Sequence, residues 1–125
     1  LFRSQEYIKG DIVMYDNKIH TIMDTLGVNN YELSCIEHPV HQLELSGVPL
    51  THEIIEKNGW KPTKESLGHS LKNKKYPRFA LWSINDKWSF TIDDVMVCNT
   101  LSCLCYVHEL QHLIFGLNIN HEMKV

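Results

Sequence analysis

At 125 residues, 43% hydrophobic and 22% charged, the chain has the length and composition of one globular domain, and a single domain over residues 1–125 is expected. No apolar run approaches the roughly 18 residues of a membrane-crossing helix and the first residues lack the segments of a signal peptide, so a cytoplasmic protein without membrane contact is expected. The net charge of −3 is uneven: Lys+Arg against Asp+Glu runs 4 to 9 over residues 1–60, 6 to 1 over residues 61–78 and 2 to 5 over residues 79–125, a basic island between two acidic blocks.

In chain order, Lys9-Gly10-Asp11 reads as a turn feeding a β-rich run at Ile12–Tyr15, which ends at the hairpin signal Asp16-Asn17. Lys18 to Thr25 alternates, Gly27 to Asn30 is a second turn, and Tyr31 to Ile36 keeps period two until His38-Pro39 breaks it. His41 to Leu45 reads as a fourth strand. Thr51 is a good N-cap for a two-turn helix at His52–Lys57 with Asn58-Gly59 as its stop, and Leu50 and Trp60 pack on either side. Residues 61–78, with Pro62, Gly68 and Pro77 among the charges, read as a loop. Arg78–Ile84 and Trp88–Ile92 form a hairpin around Asn85-Asp86-Lys87, Val95 to Cys105 holds one bulged strand or two, and a helix runs from Tyr106 to Leu117, followed by a tail. The expected fold is α+β: a small antiparallel SH3-like β half-barrel followed by a short helix, a β-hairpin and a C-terminal helix.

The terminal helix carries His108-Glu109-Leu110-Gln111-His112, an H-E-x-x-H pattern that can place two imidazoles on one zinc ion with the glutamate as general base. On a helical wheel the apolar positions Tyr106, Val107, Leu110, Leu113, Ile114 and Leu117 form one stripe, and His108 and His112 lie roughly opposite it. The imidazoles are therefore expected to face away from the core, and His112→Asn is expected to be silent. A catalytic zinc also needs a third protein ligand. Phe115 and Asn118 occupy the glycine and third-histidine positions of the extended motif, which leaves His121 and Glu122, or His20, His38, His41, His52 and His69 from earlier in the chain. No metal and no cofactor is expected, with a zinc-dependent metallopeptidase using His108 and His112 as the alternative.

Other chemistry is sparse. There is no G-x-G-x-x-G, no G-x-x-x-x-G-K-[ST] and no G-x-S-x-G. Cys35, Cys98, Cys103 and Cys105 contain no C-x-x-C pair and read as buried free thiols, and Asp93-Asp94 reads as a strand terminator.

Val48-Pro49-Leu50-Thr51 leading into a helix that ends at Gly59-Trp60, the aromatic hairpin, and Tyr106-Val107-His108-Glu109-Leu110-Gln111 running into Leu113 and Phe115 carry a resemblance. The chain resembles a family of small uncharacterised bacteriophage and mobile-element proteins with an SH3-like N-terminal half and a terminal helix of the form Y-V-H-x-L-Q-N-L-Y-F-A-L. It covers most of the chain from about Lys9, with the specific part near thirty residues. In that family the position of His112 is typically asparagine, so the resemblance implies no H-E-x-x-H. It implies no enzyme activity and no cofactor, and its context is that of proteins that bind host machinery, anti-CRISPR proteins among them.

The expected function is that of a phage or mobile-element accessory protein that binds its target stoichiometrically, an anti-CRISPR inhibitor of an RNA-guided effector or its guide RNA, and not that of an enzyme. A structural or housekeeping phage protein is a further alternative. The partner is a host protein or ribonucleoprotein, with RNA contact, and the candidate site is the basic island: Lys61, Lys64, Lys72, Lys74, Lys75, Tyr76 and Arg78, flanked by Trp60 and Phe79. A basic segment beside aromatic rings can hold phosphates while stacking bases.

Overall fold

The computed structural model describes residues 7–64, 70–84, 87–93, 95–96 and 104–125. The fold is α+β, mostly antiparallel sheet with two α-helices among the described residues, and the chain divides into two compact units, Leu1–Pro49 with Tyr106–Met123 and Leu50–Cys105 with Lys124–Val125.

The first unit holds β1 (Ile12–Tyr15), β2 (Lys18–Leu26), β3 (Asn30–Leu33), β4 (Val40–His41) and β5 (Leu45–Gly47) in the order β4-β3-β2-β1-β5, an open sheet. The β1–β2 connection works because Asp16 and Asn17 accept positive φ, 49° and 61°, which matches the turn to the right-handed twist of the strands. Alternation places Val13, Ile22, Tyr31, Leu33 and Val40 in a core with Tyr7, while a bulge between Ile22 and Asp24 leaves Met23 outside. The expected fourth strand is instead two short strands around a 3-10 turn, Gln42–Glu44. His41 causes the break: its Nδ1 accepts from Leu43 N–H (3.1 Å) and its own N–H donates to Glu44 Oε2 (3.1 Å), a local cap that competes with ladder pairing.

Helix α2 (Val107–Gly116) completes this unit, and its orientation corrects the wheel. Val107, His108, Leu110, Gln111 and Ile114 are buried, Leu113 is only half-buried, and Tyr106 and Phe115 are exposed. The buried arc is rotated by roughly 80° from the apolar stripe, toward the histidines. A wheel weighted by hydropathy sends His and Gln outward, whereas here both find partners inside.

The second unit begins with α1 (His52–Lys57), formed as expected: Thr51 Oγ1 accepts from Ile54 N–H (3.3 Å), and Gly59 at φ 95° ends it. Its sheet has the order β10-β9-β8-β7-β6, from β6 (Trp60–Pro62), β7 (Ser70–Asn73), β8 (Tyr76–Ile84), β9 (Lys87–Ile92) and β10 (Val95–Met96). Much of the expected 61–78 loop is therefore strand. The signal is hidden because the two strands are short, carry exposed Lys61, Pro62 and Lys72, and bury polar Ser70 and Asn73 beside Trp60 and Leu71, so no apolar alternation marks them. The hairpin tip 85–86, Asp94, and residues 97–103 with Cys98 and Cys103 lie outside the described residues, as do Glu65, Gly68 and His69. Cys35, expected buried, is exposed at φ 63° in the turn after β3. The tail is anchored: Lys124 N–H donates to Asn58 Oδ1 (2.8 Å) and Asn58 Nδ2 returns a bond to Lys124 O (2.8 Å).

Candidate functional site

The polar residues of α2 are bound into the first unit. Gln111 is fully buried; its Oε1 accepts from Ile12 N–H (2.8 Å) and its Nε2 donates to Gly10 O (2.9 Å) and His121 O (2.9 Å). Strand β5 pairs with β1 only as far as Val13↔Gly47, so the Gln111 carboxamide stands in for a strand's peptide group along the rest of that β1 edge. Gly10 is favoured here by its φ of 95°, which residues with a Cβ rarely adopt, and a Cβ would also lie 2.7 Å from His121 Nε2.

The H-E-x-x-H residues act in the same way. His112 Nε2 lies 2.5 Å from Oδ2 of the fully buried Asp11, which also accepts from Ile8 N–H (2.9 Å). Glu109 Oε1 accepts from Tyr106 N–H (2.9 Å) and so caps its own helix. His108, 6% exposed, meets the Tyr7 ring edge-on at 5.0 Å and stacks on Tyr106 at 5.8 Å. The two imidazoles are 5.8 Å apart, centroid to centroid, and nearly perpendicular. The other expected ligands are dispersed: His20 Nδ1 donates to Ser34 O (2.8 Å), His121 Nε2 to Lys9 O (3.1 Å), His41 caps the 3-10 turn, and His52 lies edge-on to Trp88. Among the described residues no group of three His, Cys, Asp or Glu could hold a metal ion.

This geometry reverses the expectation for His112→Asn. Asparagine is too short to reach Asp11, and a buried carboxylate stripped of its partner is costly; with the His112 side chain 36% exposed and water able to compensate in part, the loss is expected at about 1–3 kcal/mol. Urea denaturation of the two proteins measures it, and coincident midpoints would show that Asp11 does not depend on the imidazole.

The basic island is assembled by the β6–β7–β8 sheet. Pairing places Lys61 directly opposite Lys72, both exposed, in a row that continues through Ala80 to Thr91. Lys74 and Lys75 form the tight β7–β8 connection, held by Lys75 N–H donating to Asn73 Oδ1 (3.0 Å), and Lys64 is exposed beyond β6. Like charges directly opposite destabilise a strand pair, and among the described residues none of these five lysines has an ion-pair partner. Arg78 differs. Its guanidinium is 2.5 Å from Asp93, a paired contact whose hydrogen bonds hold the Asp93 carboxyl below the usual carboxylate range and raise the arginine further. Arg78 thus spends its charge locally, and the free positive charge is that of the lysines.

No protein-family model, curated protein or solved structure matches the chain. Function is read from the side chains.

Of the expected stacking rings, Trp60 is only 3% exposed, and Phe79 contacts Phe90 (5.3 Å) on the sheet face opposite Lys72, with Tyr76 stacked on Phe79. The ring on the lysine side is Trp82, a residue within the expected strand Arg78–Ile84. Thr63, Ser70, Trp82 and Ser89 form the row next to Lys61–Lys72–Ala80–Thr91, and Trp82 Nε1 donates to Thr91 Oγ1 (3.1 Å). Parity along the strand marks it: Trp82 falls on the face opposite Leu81, once β7 is recognised as a strand.

Proposed function

We propose that the protein acts by binding, and that the lysine face of the second unit holds a polyanion, the RNA of a ribonucleoprotein. The observation that carries this is the opposed pair Lys61 and Lys72, with Lys74, Lys75 and Lys64 around it: exposed like charges are set side by side by strand register, without acidic partners among the described residues, on a chain of net charge −3. Such an arrangement costs stability in isolation and becomes favourable when phosphates replace the counter-ions. In the setting that the family resemblance supplies, the target is an RNA-guided effector or its guide RNA, and the protein is a phage or mobile-element inhibitor that acts stoichiometrically. We further propose that the first unit is an SH3-like half-barrel, a reading supported by its strand order β4-β3-β2-β1-β5 with a 3-10 turn before β5.

Replacing Lys72, Lys74 and Lys75 by glutamate is expected to leave the fold intact, since all three are exposed, and to weaken RNA association by at least about tenfold at physiological salt. The affinity of the native protein should fall steeply between about 50 and 200 mM salt, with a shallower slope in the variant. A folded variant that binds RNA at native strength would remove this face from consideration.

A further inference from the structure

We infer that Trp82 is a stacking platform for the bases of single-stranded nucleic acid, with Lys61 and Lys72 beside it taking the phosphates. The inference rests on the polyanion reading of the same sheet face and adds the form of the polymer.

Three features of that face carry it. Trp60 and Trp88 are each 3% exposed, whereas Trp82 is half-buried and turned to the lysine side. Its indole is fixed by the bond from Nε1 to Thr91 Oγ1, so little side-chain freedom remains to be lost when a flat ligand settles on it. The residues around it on this face, Ser70, Ala80, Ser89 and Thr91, are small and buried, so among them the half-buried indole is the group that solvent reaches. Register then sets the spacing. Lys72 lies opposite Ala80 and Trp82 is two residues further along that strand, a diagonal pair about 7–8 Å apart, within reach of one long side chain.

A fixed ring beside lysines that have no acidic partner among the described residues selects among polyanions. In a duplex each base face is covered by its neighbours, so a duplex offers only phosphates; heparin likewise offers charge without aromatic rings. A single strand offers both, and stacking on an aromatic side chain adds to the phosphate contacts without demanding a particular base.

The test titrates the full chain with an oligouridylate of about 12 nucleotides, an RNA duplex of equal length, and heparin, following tryptophan emission and affinity together. The single strand should quench emission saturably, because the other two tryptophans are buried, and heparin should not. Trp82→Ala should weaken single-strand binding by about tenfold or more while leaving heparin affinity within about twofold, and Trp82→Phe, which keeps a ring, should recover most of the loss. The quenching in the native protein needs no variant and stands even if Trp82→Ala fails to fold. Equal affinity for all three polymers, without quenching and without a Trp82 effect, overturns the platform; binding that still falls in Lys61→Glu or Lys72→Glu then leaves the polyanion reading in place. If the native protein binds none of the three, both readings fall.

Discussion

Gln111→Ala is expected to destabilise the first unit by about 3–5 kcal/mol, as much as truncation of a buried apolar residue. The side chain is fully buried and makes three hydrogen bonds, so its removal leaves Ile12 N–H, Gly10 O and His121 O without the carboxamide that joins them. Each stranded group costs about 1–3 kcal/mol, reduced where water can enter, and the Gly10 and His121 carbonyls are only partly buried. Gln111→Met separates polar from packing contributions, because it keeps the volume and loses the bonds. If Met restores most of the stability in a denaturation series, packing explains the position; if Met is nearly as damaging as Ala, the carboxamide does.

Leu110→Ala should cost about 2–5 kcal/mol, the range for a fully buried leucine, and His108→Ala should come close to it at about 2–3 kcal/mol. That near-equality is the consequence of the helix rotation. His108→Ala loses three ring contacts, with Tyr7, Tyr106 and His112, along with the burial of the imidazole. Paired thermal unfolding of the two variants decides it, and a His108→Ala protein as stable as the native one would return the imidazole to solvent.

Much of the architecture was legible where one physical signal acted alone. Asp16-Asn17 identified its turn because few residues tolerate positive φ, and Thr51 marked the start of α1 because its hydroxyl meets an otherwise unpaired N–H. The misreadings have a common cause in polar residues that work inside the fold. Gln111 and His108 look like a solvent face on a wheel, and only contacts about a hundred residues away, such as Gln111 with Ile12, make them interior. Lys61 and Lys72 look like loop solubility, and only the pairing of β6 with β7 shows that they share one face. The basic island is legible in the charge pattern, but its aromatic partner is not among its neighbours in sequence, Trp60, Tyr76 and Phe79, because strand register brings Trp82 to that face.

The first unit is assembled from two stretches of chain, Leu1–Pro49 and Tyr106–Met123, with the second unit's main segment, Leu50–Cys105, between them. During synthesis at roughly 5–20 residues per second, β1 to β5 are complete several seconds before the helix that carries Gln111 leaves the ribosome. Over that interval the β1 edge at Gly10 and Ile12 is an open pairing template, and the apolar residues that α2 covers are bare. The intervening segment has its sheet and α1 contiguous in sequence and lacks only Lys124–Val125, so it can settle while the earlier strands wait. The strands of the first unit, made before the intervening segment, thus wait for the helix that follows it.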